Sequence, residues 1–253
     1  MVGSTVSVIG HELETVPFTN RCRSIWERGD HALIGVSPGN SYFSRHRLAA
    51  LACWADRFFE SIDIVYADMH LEAVLTAIGY TPGHARRKSR KELEGVRRRI
   101  RRAMEQLECT AARIGVSALS DFLSTPAYRD LHRTVEQSVR SDDVLRSACE
   151  KMVDQFIAGK IPGGSRPTPE QHRSGMDYLL AEMPFFVDTP SILGVGSSAS
   201  CYHTLMPLTP VLFSSREGLR AVDNQGYLLV RPPGIPGQRD PGENTAAEGD
   251  LHS

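Results

Sequence analysis

The residues best suited to chemistry begin with Gly35-Val-Ser37-Pro-Gly39, a G-x-S-x-G string that closes the short apolar run His31–Val36. Between a strand and a helix, such a string is the nucleophile elbow of α/β-hydrolases. One physical detail breaks the analogy. The elbow draws part of its oxyanion hole from the backbone N–H of the residue after the serine, and Pro38 has no N–H. Ser37 is still a candidate nucleophile at a strand tip; the plain alternative is a turn serine that bonds the local backbone. Tyr178 and Glu182 stand four apart in MDYLLAEMPFF and share one helix face. Beside packed Leu179, Leu180 and Met183, the Glu182 carboxyl has a raised pKa and can accept a proton near neutrality. The competing reading is a Tyr/Glu pair facing solvent. Tyr202 and His203 follow the strand-like Ala199-Ser-Cys201, and alone they read equally well as a buried tyrosine beside an exposed histidine.

These residues need a scaffold. The chain has 253 residues, 41% hydrophobic and 23% charged, which suits a soluble globular protein with a core of its own. Five scattered cysteines (Cys22, Cys53, Cys109, Cys149, Cys201) argue against a disulfide framework or a zinc ribbon. No apolar run approaches a membrane span, and the first residues lack the features of a secretion signal. The expectation is a cytoplasmic protein with no metal site and no membrane partner.

The net charge of −1 conceals a segregation. Residues 86–102, RRKSRKELEGVRRRIRR, hold ten basic and two acidic residues, a local charge of +8 that leaves −9 for the rest. Leu93, Val96, Ile100, Ala103, Met104 and Leu107 recur at helical spacing and make an apolar stripe. Arg87, Lys91, Arg98, Arg101 and Arg102 fall on the opposite arc. A merely solvated face would leave like charges repelling with few acidic partners. The stripe therefore reads as a phosphate-backbone surface, sequence-tolerant and salt-sensitive, without aromatics for base stacking.

Strands are expected at 31–36, 62–67, 112–119, 192–195, 199–204 and 227–231. Helices are expected at 45–60, from about 70, and at 86–107, 125–140 and 142–158. Thr168-Pro-Glu-Gln171 announces another helix, with Thr as N-cap, Pro at the first turn and Gln at N3, ending before Pro184. Residues 1–20 are weakly patterned. The tail 233–253 is rich in Pro and Gly and reads as disordered. Strands alternating with helices imply one α/β domain, residues 21–232, with a mostly parallel sheet flanked by helices. A site then lies beyond the carboxyl ends of the strands, bringing the 37–40, 68–70 and 202–204 regions together.

In combination, HALIGVSPGNSYFS, Tyr178-x-x-x-Glu182 and Cys201-Tyr202-His203 resemble the cyclodipeptide synthases over about residues 20–232. Asn40 with Tyr202-His203 resembles the subfamily with an Asn, Tyr and His signature. The resemblance implies a Rossmann-like domain similar to class Ic aminoacyl-tRNA synthetase catalytic domains. It implies an enzyme that joins the aminoacyl groups of two charged tRNAs into a 2,5-diketopiperazine, without ATP, metal or other cofactor. Neither a HIGH-type nor a KMSKS-type motif, nor a P-loop, is present, in keeping with activation done elsewhere.

Carried onto this sequence, the resemblance makes Ser37 the nucleophile that forms an aminoacyl-enzyme. Gly35 leaves room for substrate backbone, and Asn40 holds substrate polar groups. Tyr178 and Glu182 anchor the first α-amino group. Glu182 deprotonates the second substrate's amine to give a dipeptidyl-enzyme, and Tyr202 relays a proton in cyclisation with His203 beside it. The basic helix takes the tRNA. The first pocket maps to Leu33, Val65, Ala67, Leu119, Phe185 and Ser200, where bulky Phe185 suggests a small first residue. Lys160, at the opening of the second pocket, suggests an acidic partner, hence cyclo(Ala-Glu). The expected partners are two aminoacyl-tRNAs and no DNA, with the enzyme a monomer. Two other readings stand beside this one: a serine hydrolase built on Ser37, and a non-catalytic tRNA-binding module.

Overall fold

The computed structural model describes residues 13–107, 112–161 and 166–233. In chain order the elements are β1 (Glu14–Pro17), α1 (Asn20–Arg28), β2 (His31–Val36), α2 (Arg45–Asp56), β3 (Ser61–Tyr66), α3 (Leu71–Ala77) and α4 (Pro82–Met104). Then follow β4 (Arg113–Ala118), a 3₁₀ turn (Leu119–Ser124), α5 (Pro126–Ser141), α6 (Asp143–Ala158), α7 (Pro169–Leu193), β5 (Ser198–Tyr202), α8 (Leu208–Ser214) and β6 (Gln225–Arg231). One six-stranded sheet runs in the order β1-β6-β5-β2-β3-β4. β1 is antiparallel to β6, and every other pairing is parallel.

The register explains which residues can meet. Leu33 pairs with Ser200, and Gly35 with Val65. Because side chains alternate between faces of a sheet, Leu33, Gly35, Val65, Ser200 and Tyr202 share one face. The other face sends Ala32, Ile34, Ile62, Ile64 and Ala199 into a core with α2 and α4. That core takes Val96, Ile100 and Ala103 of α4, each buried, with Leu93 and Met104 packed at its edge. The apolar stripe read from sequence is therefore the docking face of α4.

Local signals account for most helix ends. Ser44 caps α2 by accepting the Arg47 N–H at 3.2 Å. At α7 the box is complete: Thr168 Oγ1 accepts from Gln171 N, and Gln171 Oε1 accepts from Thr168 N at 2.9 Å. Gly175 lets α6 and α7 close on each other, since a Cβ there would stand 2.7 Å from Val153 Cγ1.

Several expectations are corrected. Residues 14–17 form a strand, because β6 supplies a partner that four residues alone do not reveal. α4 begins at Pro82 rather than 86, with proline in the first turn where its missing N–H costs nothing. α7 does not stop at Pro184 but continues to Leu193, and residues 192–195 are not a strand. The helix breaks instead at Asp188 (φ −154°, ψ 67°), whose carboxylate accepts from Ser191 N and Oγ at 3.0 and 2.6 Å and so caps the last segment. α8 had no expected counterpart. Most of the tail 233–253 and Cys109 lie outside the described residues.

Candidate active site

A cavity of about 310 Å³ opens where β2, β3 and β5 end, between the sheet face just described and α6 and α7. Ser37 lies in its wall directly after β2. Tyr178 and Glu182 come from α7 and Tyr202 from the last position of β5. The 37–40 and 202–204 regions thus meet as expected at the carboxyl ends of the strands. Every residue assigned to the first pocket (Leu33, Val65, Ala67, Leu119, Phe185, Ser200) also lines the cavity, as does Gly35. A Cβ added to Gly35 would meet nothing within 4 Å, so that wall is open space.

The polar groups are tuned by burial. Desolvation raises the Glu182 carboxyl from 4.5 to about 7, with the Tyr178 hydroxyl pulling it part of the way back. Tyr178, 5% exposed, is pushed well above the usual phenol range by burial, then by the Glu182 charge. Tyr202 is raised in the same way. Both phenols interact with the Ser37 hydroxyl, which lowers each of them somewhat. Near neutrality the site therefore holds a serine hydroxyl between two protonated phenols, beside a carboxyl that titrates at working pH. Such a set can exchange a proton at the amine of a substrate and supply O–H donors to a developing oxyanion.

Three expected site residues stand behind the wall rather than in it. Asn40 Oδ1 accepts the Tyr42 N–H at 2.9 Å, and its side chain interacts with Tyr202, so it shapes the serine loop. His203 stacks on Tyr42 (centroids 3.7 Å, 11° between planes) and meets Phe43 edge-on. Burial, and secondarily Arg47, lower its pKa to about 4, so it is neutral at pH 7, and its buried Nδ1 has no partner among the described residues. Lys160 Nζ sits 4.7 Å from the Phe156 ring centre. Burial lowers its pKa, while Glu92 pushes it back up. The Phe156 ring, not the ammonium, faces the cavity. Sequence reasoning missed the wall opposite the first pocket, formed by Met152, Phe156, Leu205 and Met206. Its only signal, Met152 and Phe156 at helical spacing, is indistinguishable from ordinary core.

On α4, Arg87, Lys91, Arg98, Arg101 and Arg102 are all exposed. Among the described residues only Arg101 of these five reaches a carboxylate, Glu105 at 3.9 Å. Arg97, although exposed, donates to the Tyr66 hydroxyl at 2.9 Å, fastening α4 to the end of β3.

The profile of the cyclodipeptide synthase family matches residues 13–232. The chain belongs to the cyclodipeptide synthase family. It is 43% identical over 222 residues to the cyclo(L-tyrosyl-L-tyrosyl) synthase of Mycobacterium tuberculosis, covering 88% of this chain and 77% of that one. It is 37% identical over 232 residues to the cyclo(L-leucyl-L-phenylalanyl) synthase of Streptomyces noursei, covering 92% and 97%. A solved cyclo(L-leucyl-L-phenylalanyl) synthase superposes with a TM-score of 0.83 at 37% identity, over 88% of this chain and all of that one. The solved Mycobacterium tuberculosis protein, described as demonstrating that such enzymes are related to type I tRNA synthetases, gives 0.79 at 42% identity over 88% and 94%. Like its family, this chain is a tRNA-dependent enzyme that makes cyclic dipeptides. No helix among the described residues is long and apolar enough to cross a membrane.

Proposed function

We propose that this enzyme makes its cyclic dipeptide by ping-pong catalysis on Ser37. The observation that carries the reading is the gathering of Ser37, Tyr178, Glu182 and Tyr202 in the wall of one cavity. In the first step Ser37 Oγ attacks the ester carbonyl of one aminoacyl-tRNA. The acyl–Oγ bond forms, the bond to the ribose oxygen breaks, and the serine proton leaves with the tRNA. Tyr178 and Glu182 hold the α-amino group of the bound residue.

Atom balance corrects the second step as expected from sequence. If the incoming amine attacked the Ser37 ester, the dipeptide would pass to the carrier and free the serine. A dipeptidyl-enzyme requires the amine of the bound residue to attack the ester of the incoming one. That amine is the group beside Glu182, and a carboxylate titrating near 7 suits its deprotonation. The free amine of the second residue then attacks the Ser37 ester, closing the ring, while Tyr202 returns a proton to Oγ. The test is to mix enzyme with charged tRNA, quench, and weigh the peptide that contains Ser37. An aminoacyl adduct on Ser37 is expected; its absence, with no diketopiperazine formed, overturns the reading.

The hydrolase alternative lacks its base. No histidine lines the cavity among the described residues, and His203, its pKa lowered to about 4, is a weak base stacked behind it.

Phe185 supports a small first residue, for which alanine remains the proposal. Its ring is fixed edge-on to Phe122 at 5.0 Å and against Tyr128 at 6.1 Å, inside the first pocket. The acidic second residue loses its support, because Lys160 lies behind Phe156. A second residue with an apolar side chain fits Met152, Phe156, Leu205 and Met206 better. Phe185→Leu should then admit a larger first side chain, read as heavier products by mass spectrometry. An unchanged product profile counts against this pocket assignment.

Arg87, Lys91, Arg98, Arg101 and Arg102 would dock the tRNA through its phosphates, the recognition that suits carriers of differing sequence. Neutralising Arg98, Arg101 and Arg102 together should raise KM for charged tRNA and flatten its salt dependence, by about one unit of log–log slope per lost contact. A triple variant with unaltered salt dependence places the RNA elsewhere.

A further inference from the structure

The turn of α7 that presents Glu182 contains a fault. Pro184 has no N–H, so the Leu180 carbonyl loses its i+4 donor, and the proline ring crowds that carbonyl. The second fault, toward Pro190, is repaired by buried polar groups. Thr189 Oγ1 donates to the Phe185 carbonyl at 2.5 Å, and Gln225 Oε1 accepts the Thr189 N–H at 3.0 Å. Beside the first fault, one carbonyl further along, a donor comes from another helix. Tyr128 of α5, 1% exposed, donates its hydroxyl to the Ala181 carbonyl at 2.8 Å. Ala181 directly precedes Glu182. The same ring packs against Phe185 of the first pocket (6.1 Å, 48°). Tyr128 itself does not line the cavity. One buried side chain thus grips the Pro184 turn by its hydroxyl and the pocket wall by its ring.

We propose that Tyr128 is a positioning residue for the dipeptide-forming step, holding the Pro184 turn of α7 so that Glu182 faces the amine of the bound residue. This inference rests on the reading of Ser37 and Glu182 given above. A buried phenol is the right device for the task. It fills the space beside Phe185 and supplies one donor to one carbonyl, and it does so without a charge. Burial raises its pKa to about 12, with further contributions from Glu182 and Asp68, so it stays protonated throughout the working range. Burial and the Tyr178 hydroxyl set the Glu182 carboxyl, whose charge in turn raises Tyr128, Tyr178 and Tyr202, with Asp68 also acting on Tyr128. Removing the Tyr128 O–H loosens the turn that carries Glu182, and with it the hydrogen bond by which Tyr178 holds the carboxylate. The carboxylate is then less favoured, and its titration moves to higher pH.

The test is Tyr128→Phe, which keeps the ring and deletes only the hydroxyl. Acylation of Ser37 and formation of dipeptide are followed separately in single-turnover reactions with charged tRNA. Acylation should proceed at the wild-type rate, which also reports a folded enzyme. Dipeptide formation should slow on the order of tenfold, the scale of one buried hydrogen bond, with its acid limb displaced to higher pH. Unchanged rates and an unmoved pH limb overturn the inference, as does equal loss of both steps, which would mark a purely structural residue. If wild-type Ser37 never acylates, the proposed function fails first, and this inference falls with it.

Discussion

Ser37→Ala is expected to leave neither an acyl adduct nor any cyclic dipeptide. The loss should be on the order of 10⁴-fold or more, the scale on which removal of a covalent nucleophile is felt. The variant deletes one oxygen from a half-buried position in a loop that other contacts hold. Asn40 N still donates to the Ser37 carbonyl at 3.3 Å, Asn40 Oδ1 still accepts from Tyr42, and Tyr42 still stacks on His203. Folding and tRNA affinity should therefore survive. Mass spectrometry of the quenched protein and of the medium checks both halves of the expectation. A Ser37→Ala enzyme that still produces diketopiperazine would mean that acyl groups pass directly between carriers.

Glu182→Gln should separate the two half-reactions. Acylation of Ser37 needs no base at position 182 and should persist. Dipeptide formation should fall by about 10²- to 10⁴-fold, the usual worth of a positioned general base. The pH profile carries the sign. Glu182 is protonated below about pH 7 and cannot accept a proton there, so wild-type transfer should rise as pH passes through that value. The glutamine variant should lack this limb. Stability moves the opposite way. A carboxyl whose folded pKa is raised above its unfolded value favours the fold while protonated, and that contribution is lost as pH climbs from 4.5 through about 7. Glu182→Gln should accordingly melt higher than wild type above pH 7 and alike below pH 4.5. Equal melting curves at pH 8 would deny the burial that underlies the whole assignment of the base.

What the sequence made legible was whatever depends on neighbours within one helical turn or one strand. Thr168 and Gln171 announce the start of α7, and Val96, Ile100 and Ala103 announce the buried face of α4. Leu33 and Gly35 are placed by the family resemblance, and the structure puts them on one face of β2. What was not legible depends on partners far along the chain. Four residues at 14–17 become a strand only because residues 228–231 lie beside them. Pro184 reads locally as a stop. α7 passes through it, with Tyr128 donating to the neighbouring Ala181 carbonyl from 53 positions away and Gln225 binding Thr189 from 36 positions away. Lys160 and Asn40 lie outside the cavity lining for a different reason. Their residue types fit substrate contacts, but local neighbours, Phe156 one turn earlier and Tyr42 two residues on, are what they touch. The catalytic set was readable only as a combination, since no single member distinguishes itself from turn, surface or core.

In the reading proposed above, the exposed basic face of α4, one helix long, receives both of the loaded carriers that the reaction consumes. Successive visitors then share a single landing strip, and each spent one has to take off before the next can touch down. Spent and loaded carriers present the same phosphates to that strip, so the discharged form acts as a competitor, and turnover answers to the fraction of carriers in the pool that are loaded rather than to their total number.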